Sequence, residues 1–252
     1  MKVLIELPTW LGDCVMATPA IENIVNFDND TQITLIGSFV SIEALKNHPE
    51  VVKTVVLSKK YRDLVKISKE LGDFDIFFSF RSSIRSKFLK FFISAENKYQ
   101  FDKNTYQNRH QVEKYNDFVN DSLSINLTAK KLQIYGYSTS KNKKKILGIN
   151  PGASYGSAKR WYPEEFAKVA GELSSQYDIV IFGGPGEKDI AMDIEKSLLE
   201  KGIDNYQNLA ANTTIPELID HISKLDLFIT GDSGPMHVAA AFQVPTVAIF
   251  GP

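Results

Sequence analysis

Three short stretches hold residues whose type and spacing could do chemistry: LPTWLGD from Leu7 to Asp13, PGASYGSAKRW from Pro151 to Trp161, and GDSGPMH from Gly231 to His237. Asp13 offers a carboxylate just before the apolar stretch Cys14 to Ile24. It is either a helix N-cap, a common role for Asp, or a general base able to take a proton from an attacking hydroxyl. Thr18-Pro19 is itself a good N-cap and N1 pair, so Asp13 falls in a loop or in a helix kinked at Pro19. Lys159 and Arg160 form a basic pair in a glycine-rich loop. They are either a solvated pair or a phosphate clamp, with Gly152, Ser154 and Gly156 leaving backbone N–H groups open to an anion. No Gly-Lys-Ser/Thr follows those glycines, so the loop is not a Walker A site, and the first strand lacks the G-x-G-x-x-G of dinucleotide folds.

GDSGPMH raises a choice between a serine nucleophile and an anion cradle. The hydrolase elbow needs G-x-S-x-G, and here Pro235 stands where the last glycine belongs. An activated Ser233 would also need a histidine in reach, and His48, His110 and His221 carry no recognisable partner motif. A strand, then Gly-Asp-Ser-Gly, then the small-residue helix His237 to Ala241 is instead what an anion site at a helix N-terminus requires. His237 falls in that first turn, or is a histidine satisfied by its neighbours. Gly183 to Glu187 (GGPGE) reads as a turn after a strand, and Glu187 at its end could accept hydrogen bonds from ribose hydroxyls.

The elements that must hold these stretches are short β-rich runs alternating with helical patterns. Val3 to Leu7, Gln32 to Ile36, Val51 to Leu57 and Phe74 to Phe80 form a first series. Ile146 to Asn150, Asp178 to Phe182, Ile203 to Leu209, Leu227 to Thr230 and Thr246 to Phe250 form a second. Such alternation predicts an α/β chain with parallel sheets. Ser138 to Lys145 (STSKNKKK) has no apolar period and reads as a linker between two halves, residues 1–140 and 141–252. Open α/β sheets bind ligands at the carboxyl ends of their strands, and every stretch named above follows a strand.

Composition narrows the function. Hydrophobic residues make up 43% and charged residues 23% of the 252 residues, which is ordinary for a globular protein. The formal charge of -1 gives no global field to gather nucleic acid, so no nucleic-acid partner is expected. A single cysteine, Cys14, excludes an intramolecular disulfide framework and a multi-cysteine zinc site. Glu6 and Pro8 interrupt the apolar start too soon for a signal peptide, and no apolar run approaches the roughly 20 residues of a membrane span. A soluble cytoplasmic protein is expected. Between Ile76 and Ala95 lie Arg81, Arg85, Lys87 and Lys90 with no acidic residue, interleaved with Phe88, Phe91 and Phe92. This is either the solvated face of an amphipathic helix or an anion-contacting patch that also favours an anionic membrane surface.

Taken together, the segments resemble the bacterial lipopolysaccharide heptosyltransferase family, most of all its type II branch. LPTWLGDCVMATPAIENI resembles the family's W-x-G-D-x-V-M motif, NPGASYGSAKRWYPEEFA its P-G-A-x-x-G-x-A-K-R-W-P signature, and GDSGPMHVAAAFQVPTVAIFGP its D-S-G-x-M-H-x-A-A-A motif. The resemblance implies a GT-B fold of two Rossmann-like domains with a cleft between them, the first holding the acceptor and the second the sugar nucleotide. It implies ADP-L-glycero-β-D-manno-heptose as donor, and as acceptor the lipid A inner core already bearing one heptose. It also implies direct displacement with inversion, contact with the inner face of the inner membrane, and no essential metal or other cofactor.

Residue by residue, the resemblance puts Asp13 on the catalytic base and Lys159 on the lysine that neutralises the donor phosphates. Ser154 and Tyr155 align with the start of that phosphate loop, Glu187 with the carboxylate at the ribose, and Thr213 with a position beside the nucleotide. Asp232, Ser233, Gly234 and His237 align with the loop and helix start around the diphosphate and sugar. In this reading Arg81 and Arg85 contact acidic or phosphorylated sugars of the acceptor. Family members continue past the Gly-Pro on which this sequence ends, so a further terminal segment is expected beyond Pro252. The competing readings are another GT-B sugar-nucleotide enzyme, such as a UDP-sugar 2-epimerase, and a two-domain solute-binding protein. The latter would need a leader segment and would leave Asp13 without a task.

Overall fold

A computed structural model describes residues 1–139, 144–152 and 161–250. The chain forms two compact units, Met1–Gly136 and Tyr137–Pro252. In the first, the elements run β1 (Lys2–Glu6), α1 (Leu11–Met16), α2 (Thr18–Val25), β2 (Gln32–Gly37), α3 (Phe39–Leu45), β3 (Val51–Val56), α4 (Tyr61–Leu71), β4 (Asp73–Ser79), α5 (Ile84–Phe92), β5 (Ser94–Gln100) and α6 (Gln111–Leu123). In the second they run β6 (Lys145–Asn150), α7 (Pro163–Leu173), β7 (Tyr177–Ile181), α8 (Lys188–Glu200), β8 (Tyr206–Asn208), α9 (Ile215–Ser223), β9 (Leu227–Gly231), α10 (Gly234–Ala241) and β10 (Thr246–Ile249).

Each unit carries one five-stranded sheet, ordered β3-β2-β1-β4-β5 and β10-β9-β6-β7-β8. All the strand pairs are parallel. This is the α/β architecture that the alternation predicts. The central strands β1 and β6 are buried on both faces, which is why VLI and LGI read as unbroken apolar runs rather than alternating ones. In the first unit Leu4, Ile36 and Phe77 pack under α4 and α5 through Leu64 and Leu89. Phe78 of β4 and Phe80 just beyond the strand meet Phe118 of α6 edge-on. In the second unit Leu147, Ile149, Ile179, Ile181 and Ile229 pack against Phe166, Ala167 and Ala170 of α7 and Ala191, Ile194 and Leu198 of α8.

Three local expectations change. The strand β5 is not among the runs read from the sequence. It is an edge strand of sequence SAENKYQ, largely outside the core, so it has no apolar signature to betray it. Lys145, placed in the linker, is the first residue of β6 and pairs with Tyr177. At the linker's other end Ser138 accepts a hydrogen bond from Ser223 Oγ at 3.1 Å, and Tyr137 packs edge-on to Phe242 with ring centres 6.1 Å apart. Residues 140–143 of that stretch lie outside the described residues. Finally, Thr18-Pro19 occupies N1 and N2 of α2, with Ala17 at the N-cap. The Thr18 hydroxyl is turned away from capping: it donates to Val15 O at 2.7 Å and accepts from Gln133 N at 3.1 Å. Among the described residues no helix is long and apolar enough to cross a membrane.

Candidate active site

Asp13 follows β1, the central strand of its sheet, and sits in the first turn of α1. The N-cap of that helix is Trp10, whose carbonyl accepts from Cys14 N at 2.9 Å, so Asp13 is not the cap. Its carboxylate is half-buried and accepts no hydrogen bond or ion pair from another described residue. Burial raises its pKa above the ordinary Asp value. Beside it, burial and the charge of Asp13 push the Cys14 thiol up, and burial together with the same charge pushes up the Tyr115 phenol. The helix dipole at the first turn opposes this by favouring the anion. The net result is a carboxylate whose acceptor capacity is unspent on the described residues and whose basicity is enhanced, which is what proton abstraction from a hydroxyl requires.

In the second unit the candidate residues gather at the carboxyl ends of β6, β7 and β9. Asp232, Ser233, Gly234 and His237 lie on the turn from β9 into α10 and on its first turn, all partly exposed. Ser233 is the N-cap residue but makes no side-chain cap. Its hydroxyl instead accepts from Asn150 Nδ2 at 3.1 Å and lies 3.2 Å from Thr230 Oγ1. Neither of these partners is a base; both contacts tie the β9 turn to the end of β6. Glu187 closes a short 3-10 turn, Pro185–Glu187, and accepts from Gly184 N through Oε2 at 2.7 Å. Oε1 accepts no hydrogen bond from another described residue. Gly152 lies directly against Glu187: a Cβ at that position would overlap the Glu187 carboxyl atoms, so any side chain there would push the carboxylate aside. Thr213 sits partly exposed just before Thr214, the N-cap of α9. Ser154, Tyr155 and Lys159 lie outside the described residues, as does Arg160.

Arg81 and Arg85 of the basic stretch are brought together at the β4–α5 connection. Arg81 Nη1 lies 3.6 Å from Glu6 Oε1, and the Arg85 guanidinium donates to Ser58 O. On α5 itself Ile84 and Phe91 are 80% and 79% exposed, with Lys87 also exposed, so the helix turns an apolar and basic surface outward rather than a purely charged one.

Two residues in this arrangement escape the sequence reading. Asn150, buried at the end of β6, links Thr230 at 3.2 Å and Ser233 at 3.1 Å, and so fixes the β9 turn. Its signal is a polar residue closing a buried strand immediately before Pro-Gly. Glu6 is fully buried at the end of β1. Its signal is equally plain: a lone acid in the central strand of a doubly covered sheet must be buried and must be paired.

Comparison with known proteins bears on the family and the fold. The model of glycosyltransferase family 9 (heptosyltransferase) matches residues 65–252. Lipooligosaccharide heptosyltransferase 2 of Campylobacter jejuni serotype O:2 is 46% identical over an alignment spanning all of this chain and 81% of that protein. Among solved structures, the E. coli ADP-heptose LPS heptosyltransferase II superposes with a TM-score of 0.86 at 22% identity, over 100% of this chain and 85% of that one. The E. coli heptosyltransferase WaaC with ADP superposes with a TM-score of 0.83 at 16% identity, over 100% and 88%. The fold is therefore that of the GT-B heptosyltransferases, and the chain belongs to glycosyltransferase family 9, the heptosyltransferase family.

Proposed function

We propose that this chain moves L-glycero-D-manno-heptose from ADP-L-glycero-β-D-manno-heptose to the heptose of the lipopolysaccharide inner core, the heptosyltransferase II reaction, with inversion at the anomeric carbon. The observation that carries the reading is the whole-chain likeness to a lipooligosaccharide heptosyltransferase 2 at 46% identity. The first unit takes the acceptor and the second the sugar nucleotide. Asp13 removes the proton of the attacking acceptor hydroxyl as the new bond to the anomeric carbon forms. The bond from that carbon to the diphosphate breaks, and ADP departs with the negative charge. Lys159, the Ser154–Tyr155 loop and the α10 start, with Asp232, Ser233, Gly234 and His237, hold the diphosphate and sugar. Stabilisation there counts most as the charge on the leaving group develops. No divalent ion takes part in this scheme.

Glu187 and Thr213 belong to the nucleoside end, with Oε1 of Glu187 accepting from the ribose. Because a Cβ at residue 152 would overlap the Glu187 carboxylate, Gly152→Ala is expected to expel it from the Gly184 N–H. Loss of one charge-assisted hydrogen bond to the ribose weakens ADP binding roughly tenfold. Titration calorimetry with ADP reads this directly, and an unchanged Kd would remove Glu187 from the ribose site.

At the acceptor end, Arg81 and Arg85 meet acidic or phosphorylated sugars, while Ile84, Lys87 and Phe91 on α5 favour contact with the inner face of the inner membrane. The working location is thus cytoplasmic with peripheral membrane contact. Replacing both arginines with alanine is expected to raise the acceptor KM and leave donor affinity intact; acceptor kinetics indistinguishable from wild type would withdraw the pair from the acceptor site. The donor assignment is tested by thermal shift. A nucleotide at 100 times its Kd adds about 2.7 kcal/mol of apparent stability, so ADP should raise the melting temperature well above UDP or GDP at equal concentration. Preference for UDP would overturn it.

A further inference from the structure

Glu6 ends β1 with its side chain fully buried, in a position where an apolar residue would pack at lower cost. It is not idle. Ser79 Oγ donates to Oε2 at 2.6 Å, Ser86 Oγ donates to Oε1 at 3.0 Å, and Arg81 Nη1 lies 3.6 Å from Oε1. These partners come from the last residue of β4, the first turn of α5 and the loop between them, so one carboxylate gathers the whole β4–α5 connection. The backbone of Arg81 is held as well, since Gln100 Nε2 donates to its carbonyl at 3.0 Å. One turn on, the Arg85 guanidinium donates to Ser58 O and feels the like charge of Arg81. Arg81 lies within ion-pair distance of the buried carboxylate, and Arg85 feels its charge from further off. The cluster keeps an excess positive charge at the carboxyl end of the central strands, and the Arg81 side chain remains 22% exposed.

We propose that Glu6 is a positioning residue for acceptor recognition: it fixes Arg81, and through Ser86 the first turn of α5, so that the Arg81–Arg85 pair presents a preformed fork to an oxyanion of the acceptor, either a phosphate or a sugar carboxylate. The proposal rests on the reading that these arginines face the acceptor. A carboxylate can accept from both serines while its charge attracts the Arg81 guanidinium. A carboxamide in its place must turn its NH2 toward either Arg81 or Ser79, and against Arg81 it sets donor against donor.

The test is steady-state kinetics on the full chain with Glu6→Gln, Glu6→Asp, Arg81→Gln and the double variant Glu6→Gln/Arg81→Gln. Glu6→Gln is expected to raise the acceptor KM roughly tenfold, the size of one charge-assisted hydrogen bond, with donor KM and kcat at saturating acceptor close to wild type. Glu6→Asp, which keeps the charge, should recover part of the loss. In the double variant Glu6→Gln should add little to Arg81→Gln, because the two act through the same contact. If Arg81→Gln raises the acceptor KM and Glu6→Gln does not, the positioning role is wrong while the arginine site stands. If Arg81→Gln itself leaves the acceptor KM unchanged, the arginine reading fails first. A rise in both KM values together with a fall in melting temperature would make Glu6 a purely structural residue and overturn the proposal. Repeating the comparison with dephosphorylated acceptor assigns the oxyanion. A vanishing Glu6→Gln effect supports the proposal with phosphate as the partner, and a persisting one supports it with a carboxylate.

Discussion

Asp13→Asn is expected to bind ADP-heptose with unchanged affinity and to lose turnover by roughly 10² to 10⁴, the usual worth of a positioned base. The substitution is nearly isosteric and the carboxylate accepts no hydrogen bond from another described residue, so the fold should survive it. Stability should even improve. The folded pKa of Asp13 is raised by burial, so the folded state binds its proton more tightly than the unfolded chain does. Stability is then lost as pH rises from the unfolded pKa through the folded one, and near neutral pH the ionised carboxylate is a net cost to folding. Asparagine carries no such cost. A variant that melts higher yet barely turns over is the signature of a functional group kept against stability. The same raised pKa puts the acidic limb of the wild-type kcat/KM profile above the ordinary Asp range, and that limb should disappear from the residual activity of Asp13→Asn. Near-normal turnover would leave Asp13 with no catalytic task.

The second large effect is expected at Lys159. Breaking the bond between the anomeric carbon and the diphosphate puts new negative charge on the leaving group, and a fixed cation is worth more at that moment than in the ground state. Lys159→Met should therefore lower kcat by roughly 10² to 10³, the range seen when one preorganised charge stabiliser is removed. Lys159→Arg keeps the charge but changes its geometry, and should retain more activity than methionine without reaching wild type. The kinetic split is decisive. A higher donor KM with kcat unchanged would mean that the lysine contributes only uniform binding, and the transition-state role would fall.

Much of the fold was legible because parallel sheets covered on both faces demand continuous apolar strands. VLIEL, QITLI and ILGIN have no other easy home. The edge strand β5 obeys a different constraint. It needs polar and charged residues to discourage further pairing, and SAENKYQ is therefore silent to an apolar search. The site divides in the same way. Asp13, Glu187 and the GDSGPMH turn stand out because glycines and acids cluster after strands, where an α/β sheet binds ligands. What they do locally was less visible. The choice between cap and free carboxylate for Asp13 depends on where α1 begins, and an exposed Trp10 at the N-cap gives no sequence cue. Thr18 looks like a cap but spends its hydroxyl on Val15 O and Gln133 N, the latter 115 residues away in sequence. Asn150 and Glu6 act through partners on, or just beyond, neighbouring strands, Thr230 and Ser233 for one, Ser79, Arg81 and Ser86 for the other. Sheet order brings those partners together, and no spacing along the chain reports it.

The most direct measurement is heptose transfer by the purified chain from ADP-heptose to two defined lipid A-core acceptors, one bearing no heptose and one bearing a single heptose. Mass spectrometry should show one heptose added to the second acceptor, with release of ADP and inverted configuration at the new linkage, and no product on the first. Transfer to the heptose-free core alone, or no transfer to either acceptor while ADP-heptose binds, would contradict the assignment.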